Sequence, residues 1–127
     1  MIPTFTDKPD VTFTRFVRGW FCLLARGEFA DAALHFDEPN SYGERWDAEK
    51  IQSALRDYAR SDSVRVSDPD TIAGDGRASV VEFADGRGYS FEHVVPLDGE
   101  WSDLTAQFDF MRRPGGYAVV LHDIHVL

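Results

Sequence analysis

The fold is decided by the C-terminal stretch EFADGRGYSFEHVVPLDGEWSDLTAQFDFMRRPGGYAVVLHDIHVL, residues Glu82–Leu127. Apolar and polar side chains alternate along it, which is typical of β-strands that bury one face. Turn-forming sequences interrupt the alternation at 85–88, 96–100 and 112–116, and Asp-Gly between alternating segments is a strong hairpin signal. With a further turn at 74–76, the pattern predicts strands near residues 65–73, 77–84, 88–96, 101–112 and 116–126. The last four are predicted to form an antiparallel meander.

The N-terminal half has a helical period instead. Apolar residues recur at intervals of three and four from Phe13 to Leu24, which predicts an amphipathic helix that stops near Gly27. A second, short helix is predicted in EFADAALHF, residues 28–36. A third is predicted to begin at a capping Asp47, with its apolar face at Ile51, Ala54, Leu55 and Tyr58.

Helices followed by a meander predict an α+β fold. The N-terminal helices, about 10–60, are expected to pack on a curved antiparallel meander of four to five strands, about 64–127. Residues 1–127 are expected to form a single domain, because 43% hydrophobic residues are sufficient for one core in a chain of this length.

Charge and cysteine content narrow the possible partners and compartments. The formal net charge is −9 and no basic patch stands out, so the sequence predicts no binding to nucleic acid or to membranes. The only cysteine, Cys22, cannot form an internal disulfide, which fits a reducing compartment. The N-terminus MIPTFTDKPD has no apolar signal-peptide core, and the longest apolar run, WFCLLA, is too short to span a bilayer. We therefore expect a cytoplasmic protein.

The loop lengths give an expected strand register. Tight turns at 85–86, 98–99 and 113–116 place directly opposed residues on the same face of the sheet. The face toward the helices is then predicted to carry Val80, Glu82, Tyr89, Phe91, His93, Leu104, Ala106, Phe108, Phe110, Val119, Leu121, Asp123 and His125. A β-bulge that adds one residue would reverse the assignment beyond it.

The terminal sequence LHDIHVL, Leu121–Leu127, raises the question of a metal or acid–base site. His122 and His125 are three residues apart on a strand and should point to opposite faces, so we predict no metal site. Asp123, His125 and His93 are predicted to share the inner face. A carboxylate raises the pKa of a neighbouring imidazole and burial lowers it, so this group is a candidate for general acid–base catalysis. The alternative is that the three are structural polar residues that satisfy one another.

Two segments resemble a known architecture. They are the helical FTRFVRGWFCLLARGEFADAALHF, residues 13–36, and the terminal hairpin WSDLTAQFDFMRRPGGYAVVLHDIHVL, residues 101–127. Their order resembles the cone-shaped nuclear transport factor 2-like superfamily, which also contains ketosteroid isomerase and scytalone dehydratase. The resemblance rests on element order, and no catalytic signature of the superfamily matches. It implies an apolar pocket between the helices and the concave sheet face, and often a homodimer.

The first hypothesis for function is that a small, largely apolar ligand binds in this pocket, without a cofactor or a metal ion. The residues predicted to line it are Glu82, Tyr89, Phe91, His93, Phe108, Asp123 and His125. One alternative is a protein-interaction or regulatory module, similar to immunity or adaptor proteins, without pocket chemistry. Another is a proton-transfer or dehydration enzyme that uses Asp123 and His125. A pocket filled by Phe91, Phe108 and Phe110 would favour the interaction module.

Two further surfaces are candidates for binding. Apolar residues predicted on the outer sheet face, Val120, Ile124 and Val126, suggest that a homodimer forms through that face. The loop DEPNSYGERW, residues 37–46, is either a lid or partner-binding segment, or an ordered connector with Tyr42 and Trp46 in the core.

Overall fold

The protein consists of three helices and a curled antiparallel sheet of five strands, and the computed structural model describes residues 1–127. The elements in chain order are β1 (Ile2–Pro3), α1 (Pro9–Ala25), α2 (Phe29–Ala33), α3 (Ala48–Ala59), β2 (Ala78–Glu82), β3 (Gly88–Leu97), β4 (Glu100–Arg113) and β5 (Gly116–Val126). The α+β class, with N-terminal helices and an antiparallel sheet, is confirmed. None of the helices combines the length and hydropathy needed to cross a bilayer.

The strands lie in the order β1-β5-β4-β3-β2, so the four C-terminal strands form the expected meander. The strand predicted at 65–73 is wrong. That segment makes one isolated bridge, Val66 to Leu97, and a 3₁₀ turn at Pro69–Thr71. Proline has no N–H for a ladder, and the Asp68 carboxylate accepts the Asp70 N–H at 2.9 Å, which favours the turn. The fifth strand is β1, which pairs with the start of β5.

The helix ends follow the local sequence. α1 has Pro9 at its first position, where a missing N–H costs no hydrogen bond, and Gly27 follows the helix with a φ of 75°. α3 begins after Asp47, whose side chain accepts the Lys50 N–H at 2.8 Å, as expected of the capping residue. It ends at Ala59, and the capping residue Arg60 has the left-handed φ of 52°.

Aromatic rings fill the space between α1 and the inner face of the sheet, the face that is turned toward the helices. Phe13 of α1 stacks on Phe110 with ring centroids 4.1 Å apart, and Trp20 meets Phe108 edge-on at 5.2 Å. All four side chains are buried, and the Trp20 indole N–H donates to the Ala32 carbonyl at 3.1 Å. The predicted pocket space is therefore occupied by protein side chains.

Two register shifts decide which residues face inward. On β3–β4 the shift lies between Val94 and Pro96, and His93 pairs with Ala106 instead of the expected Leu104. This displacement of two residues keeps the predicted faces. On β4–β5 the pairing changes from Phe108–Leu121 to Gln107–Asp123, so that His122 is an extra residue on β5.

The extra residue reverses the faces for the rest of β5. Asp123 and His125 lie opposite Gln107 and Thr105 on the outer face, so their predicted inward placement is wrong. Ile124 is buried in the core and Val126 lies opposite the inward-facing Leu104. Of the three residues proposed for an outer dimer face, only Val120 is on that face.

Candidate functional site

The residues predicted to line one pocket are divided among three places. Phe91, Phe108 and His93 are buried in the core under α1. Glu82 and Tyr89 lie at the end of the sheet where Arg112 contacts both, with Nη2 at 3.1 Å from the Glu82 carboxylate and 3.3 Å from the Tyr89 hydroxyl. Asp123 and His125 lie on the opposite face. The structure therefore does not bring this set together.

His93 is a core histidine. Its ring packs against Phe21 and Trp101, with centroid distances of 5.3 and 5.4 Å. Its Nδ1 lies 2.8 Å from the Val94 carbonyl, which can only accept, so the proton is on Nδ1. Burial lowers the pKa of His93. A neutral imidazole separated from Asp123 by the sheet cannot act with it.

Asp123 and His125 form a pair on the open outer face. The His125 Nδ1 is 2.8 Å from the Asp123 carboxylate, and both side chains are more than a third exposed. The other Asp123 oxygen accepts the Ile124 N–H at 2.8 Å. No group of three histidine, cysteine or carboxylate side chains is placed to hold a metal ion. An exposed ion pair of this kind contributes little to the stability of the protein, because water competes for both partners.

A different site lies on the outer face, between the loop 37–46 and the β2–β3 hairpin. We call it the outer cleft; its volume is about 320 Å³, which is in the range of small-ligand sites. Its floor is the outward side of β3, β4 and β5, and its walls are the loop and the hairpin. The lining residues are Glu38, Pro39, Asn40, Ser41, Phe83, Arg87, Ser90, Gln107, Asp109, Met111, Arg113, Val120 and His122.

Asp109 and His122 are the titratable pair in the floor of the outer cleft. The Asp109 side chain is 17% exposed and hydrogen bonds to no protein group, and its Oδ2 lies 3.6 Å from the His122 Nδ1. That Nδ1 is itself buried without a hydrogen-bond partner. Burial raises the pKa of the Asp109 carboxyl, and the nearby His122 and Arg87 oppose the increase only in part. The site thus holds a largely buried carboxyl beside an imidazole.

The loop wall is fixed by Asn40. Its side-chain N–H donates to the His122 carbonyl at 3.1 Å, and its Oδ1 accepts the N–H groups of Tyr42 and Glu44 at 3.0 and 2.9 Å. Trp46 is buried as a connector would require, whereas Tyr42 is 74% exposed and its ring lies 5.5 Å from that of His122. The loop is therefore an ordered connector that also forms one wall of a cleft.

Residues 21–127 match a family model described as Domain of unknown function (DUF7668). The chain belongs to the DUF7668 family. No curated protein matches it. All residues that line the outer cleft fall within the matched DUF7668 segment, whereas β1 and most of α1 precede it.

Sequence patterns did not single out Asp109 in this DUF7668 domain, and they raised His122 only as a metal ligand, a role that strand geometry excludes. Asp109 lies between Phe108 and Phe110, in the position of an ordinary outward strand residue. The wall that buries it comes from a loop distant in sequence. The hydrogen bond from Asn40 to His122 spans 82 positions along the chain. The ten-residue loop rich in turn formers was the one sequence signal that pointed toward this cleft.

Proposed function

We propose that the outer cleft binds a small polar molecule whose hydrogen-bond donor contacts the Asp109 carboxylate. The observation that carries this proposal is a carboxyl that is 17% exposed and makes no hydrogen bond within the protein. Asp109 lines the cleft, and the His122 Nδ1 beside it is a buried atom without a hydrogen-bond partner. Buried polar atoms of this kind are uncommon and tend to serve a function. The His122 Nδ1, 3.6 Å away, is beyond hydrogen-bond distance, so a ligand donor can reach the Asp109 carboxylate without displacing an existing bond.

The charges around Asp109 favour a zwitterionic ligand, such as a free amino acid. Glu38 and Arg113 neutralise each other through two hydrogen bonds of 2.9 and 2.7 Å. The guanidinium of Arg87 lies over the Phe83 ring at 4.5 Å, with its Nε 3.7 Å from the Asp85 carboxylate, and is the cation of the opposite wall. An ammonium group on Asp109 and a carboxylate near Arg87 would each meet the opposite charge. The volume corresponds to about ten water molecules at about 30 Å³ each, which suits a ligand of amino-acid size.

The test is an NMR titration of the protein with each of the common amino acids at millimolar concentration. We expect at least one to shift the amide signals of Ser90, Gln107 and His122. Asp109→Asn should weaken that binding about tenfold or more, since a charge-assisted contact contributes about 1.5–3 kcal/mol. Asp123→Asn, the same change on the open part of the same face, should leave it unaltered. Binding that survives Asp109→Asn, or signals in the cleft that never move, would refute the proposal.

We infer that a distant relation to the nuclear transport factor 2-like superfamily is supported by the helices that precede a curled sheet. In this chain, however, Phe13, Phe108 and Phe110 occupy the space where the apolar ligand was expected. By the criterion stated above, the filled interior favours the alternative that the domain acts through its surface, as an interaction module.

A further inference from the structure

The two edges of the sheet differ in whether their outward backbone groups have hydrogen-bond partners. On the β5 side, β1 pairs with the first residues of β5, and Asp37 then continues the pairing. Its N–H donates to the Val119 carbonyl at 2.8 Å, and its carboxylate accepts the Val119 N–H at 2.7 Å. Further along β5, the Asn40 side-chain amide donates to the His122 carbonyl. This edge of the sheet is therefore closed.

The opposite edge, β2, is open. Hydrogen bonds from Phe83 N–H to Gly88 carbonyl and from Val94 N–H to Arg77 carbonyl fix the alternation of the β2–β3 ladder. The backbone groups of Ser79 and Val81 therefore face β3, and those of Ala78, Val80 and Glu82 face away from the sheet. Of the five β2 residues, Val80 is half-buried and the other four are exposed.

Several of the usual protections of a sheet edge are missing from β2, whose one charged residue is Glu82 at its end. Its sequence, ASVVE, contains no proline and no lysine, and its ladder with β3 has no bulge. Val81 on the outer face is 61% exposed. Natural proteins blunt such edges unless another strand occupies them.

We propose that β2 pairs with β2 of a second copy of this chain, in antiparallel orientation about a two-fold axis at Val80. With Val80 opposite its own copy, Ala78 lies opposite Glu82 of the partner, and the outward N–H and carbonyl groups of the two strands face one another. The pairing extends the five-stranded sheet into one continuous sheet shared by both copies.

The side chains on the outer face fit this register. Ser79 lies opposite Val81 of the other copy, in the close pair type that lacks backbone hydrogen bonds. A recess of about 290 Å³ adjoins Ser79 on this face, lined by Arg77, Ala78, Ser79, Glu92, Val94, Thr105 and Leu127. The exposed Val81 of one chain therefore meets a hollow in the other. Antiparallel pairing also places Arg77, at the start of one strand, near the Glu82 carboxylate at the end of the other. That carboxylate is bound to its own Arg112 and remains half-exposed, so it can also meet Arg77 of the second copy.

Sedimentation velocity of the whole chain over a wide concentration range tests the proposal. We expect a weak dimer that strengthens with salt, because two copies each carry a net charge of −9 and repel at long range. Hydrogen exchange supplies the local readout: the Val80 amide should become protected as the concentration rises, whereas an exposed loop amide should not.

Two variants separate this edge from other surfaces. Val81→Lys places a lysine on the edge and should raise the dimer dissociation constant about tenfold or more. Leu34→Lys makes the same charge change at a site that is 80% exposed on another part of the molecule, and should not. Ala78→Pro removes an outward N–H without breaking the β2–β3 ladder and should also weaken the dimer.

The outcomes distinguish a dimer through β2 from a monomer and from a dimer through another surface. A monomer at all concentrations and salt conditions, with an unprotected Val80 amide, would overturn the proposal. So would a dimer that Val81→Lys leaves intact, because the contact would then be elsewhere. Thermal melting of each variant shows whether it is folded, and if Ala78→Pro fails to fold, Val81→Lys and its control still decide the result.

Discussion

Asp109→Asn should make the protein more stable at neutral pH, although most substitutions of a largely buried residue do the opposite. The wild-type carboxylate is 17% exposed, makes no hydrogen bond to the protein and has its nearest imidazole nitrogen at 3.6 Å. An unpaired buried polar group costs about 1–3 kcal/mol. We take the lower end, about 1 kcal/mol, because water reaches part of the side chain and His122 attracts the charge.

The stability gained by Asp109→Asn should increase as the pH rises. Burial raises the pKa of the Asp109 carboxyl above the ordinary value of about 3.9. The ordinary value applies to the unfolded chain and the raised pKa to the folded chain. Between these two pKa values the folded chain holds a proton that the unfolded chain has lost, so wild-type stability falls as the pH rises through this interval. Asparagine does not titrate. The advantage of Asp109→Asn should therefore be small below about pH 4 and reach its full size above the folded pKa.

Thermal unfolding followed by circular dichroism between pH 3.5 and 7.5 measures this difference. A change of about 1 kcal/mol corresponds to roughly 4 °C for a domain of this size. Asp123→Asn is the matched control and should give no gain, because the Asp123 carboxylate already accepts the Ile124 N–H and lies beside His125. A loss of stability for Asp109→Asn at neutral pH, or a gain that is the same at pH 4 and pH 7, would show that burial of the charge is not what limits stability here.

Three further substitutions test the remaining structure by urea unfolding. Asn40→Ala should cost about 2 kcal/mol, because it leaves the His122 carbonyl and two loop N–H groups without partners; a neutral result would mean that water replaces the loop contacts. Phe108→Ala should cost about 3–5 kcal/mol, since the ring is buried against Trp20 and three phenylalanines. Arg60→Gly should raise the free energy of unfolding by about 0.5–1 kcal/mol, because a non-glycine residue at a φ of 52° is strained and the exposed Arg60 side chain makes no hydrogen bond or ion pair. Destabilisation by Arg60→Gly would contradict the left-handed end of α3.

The fold class followed from the sequence because it depends on periodicity and on turn residues, and both are local. Asp-Gly at 85–86 and at 98–99 places the hairpins correctly, and the pairs Glu82–Tyr89 and Leu97–Glu100 occur as predicted. The strand predicted at 65–73 failed because its alternation contains Pro69, and a two-residue strand at the N-terminus gives no periodic signal.

The predicted site was wrong because the faces of Asp123 and His125 depend on a single inserted residue. Counting outward from the turn at 113–116 gives the right pairs as far as Phe108–Leu121. One more residue on β5 then exchanges the faces of every following residue. No turn or composition marks such an insertion, so Asp123 and His125 were assigned to the core and Ile124 to the surface. The site that does form also needs a wall from the loop 37–46, a contact that periodicity does not report.

The bulge itself argues that the outer cleft is more than an accident of packing. If His122 were absent, Leu121 would still pair with Phe108 and Asp123 with Gln107, and the ladder would be continuous with the same residues on each face. The sheet therefore has no need of the extra residue for its register or for the burial of Ile124. What the residue adds lies on the outer face: an imidazole 3.6 Å from the Asp109 carboxyl, and a carbonyl that accepts the Asn40 amide and holds the loop in place. Bulges are characteristic of sites where a sheet must re-aim a side chain, and here the side chain is aimed into the cleft.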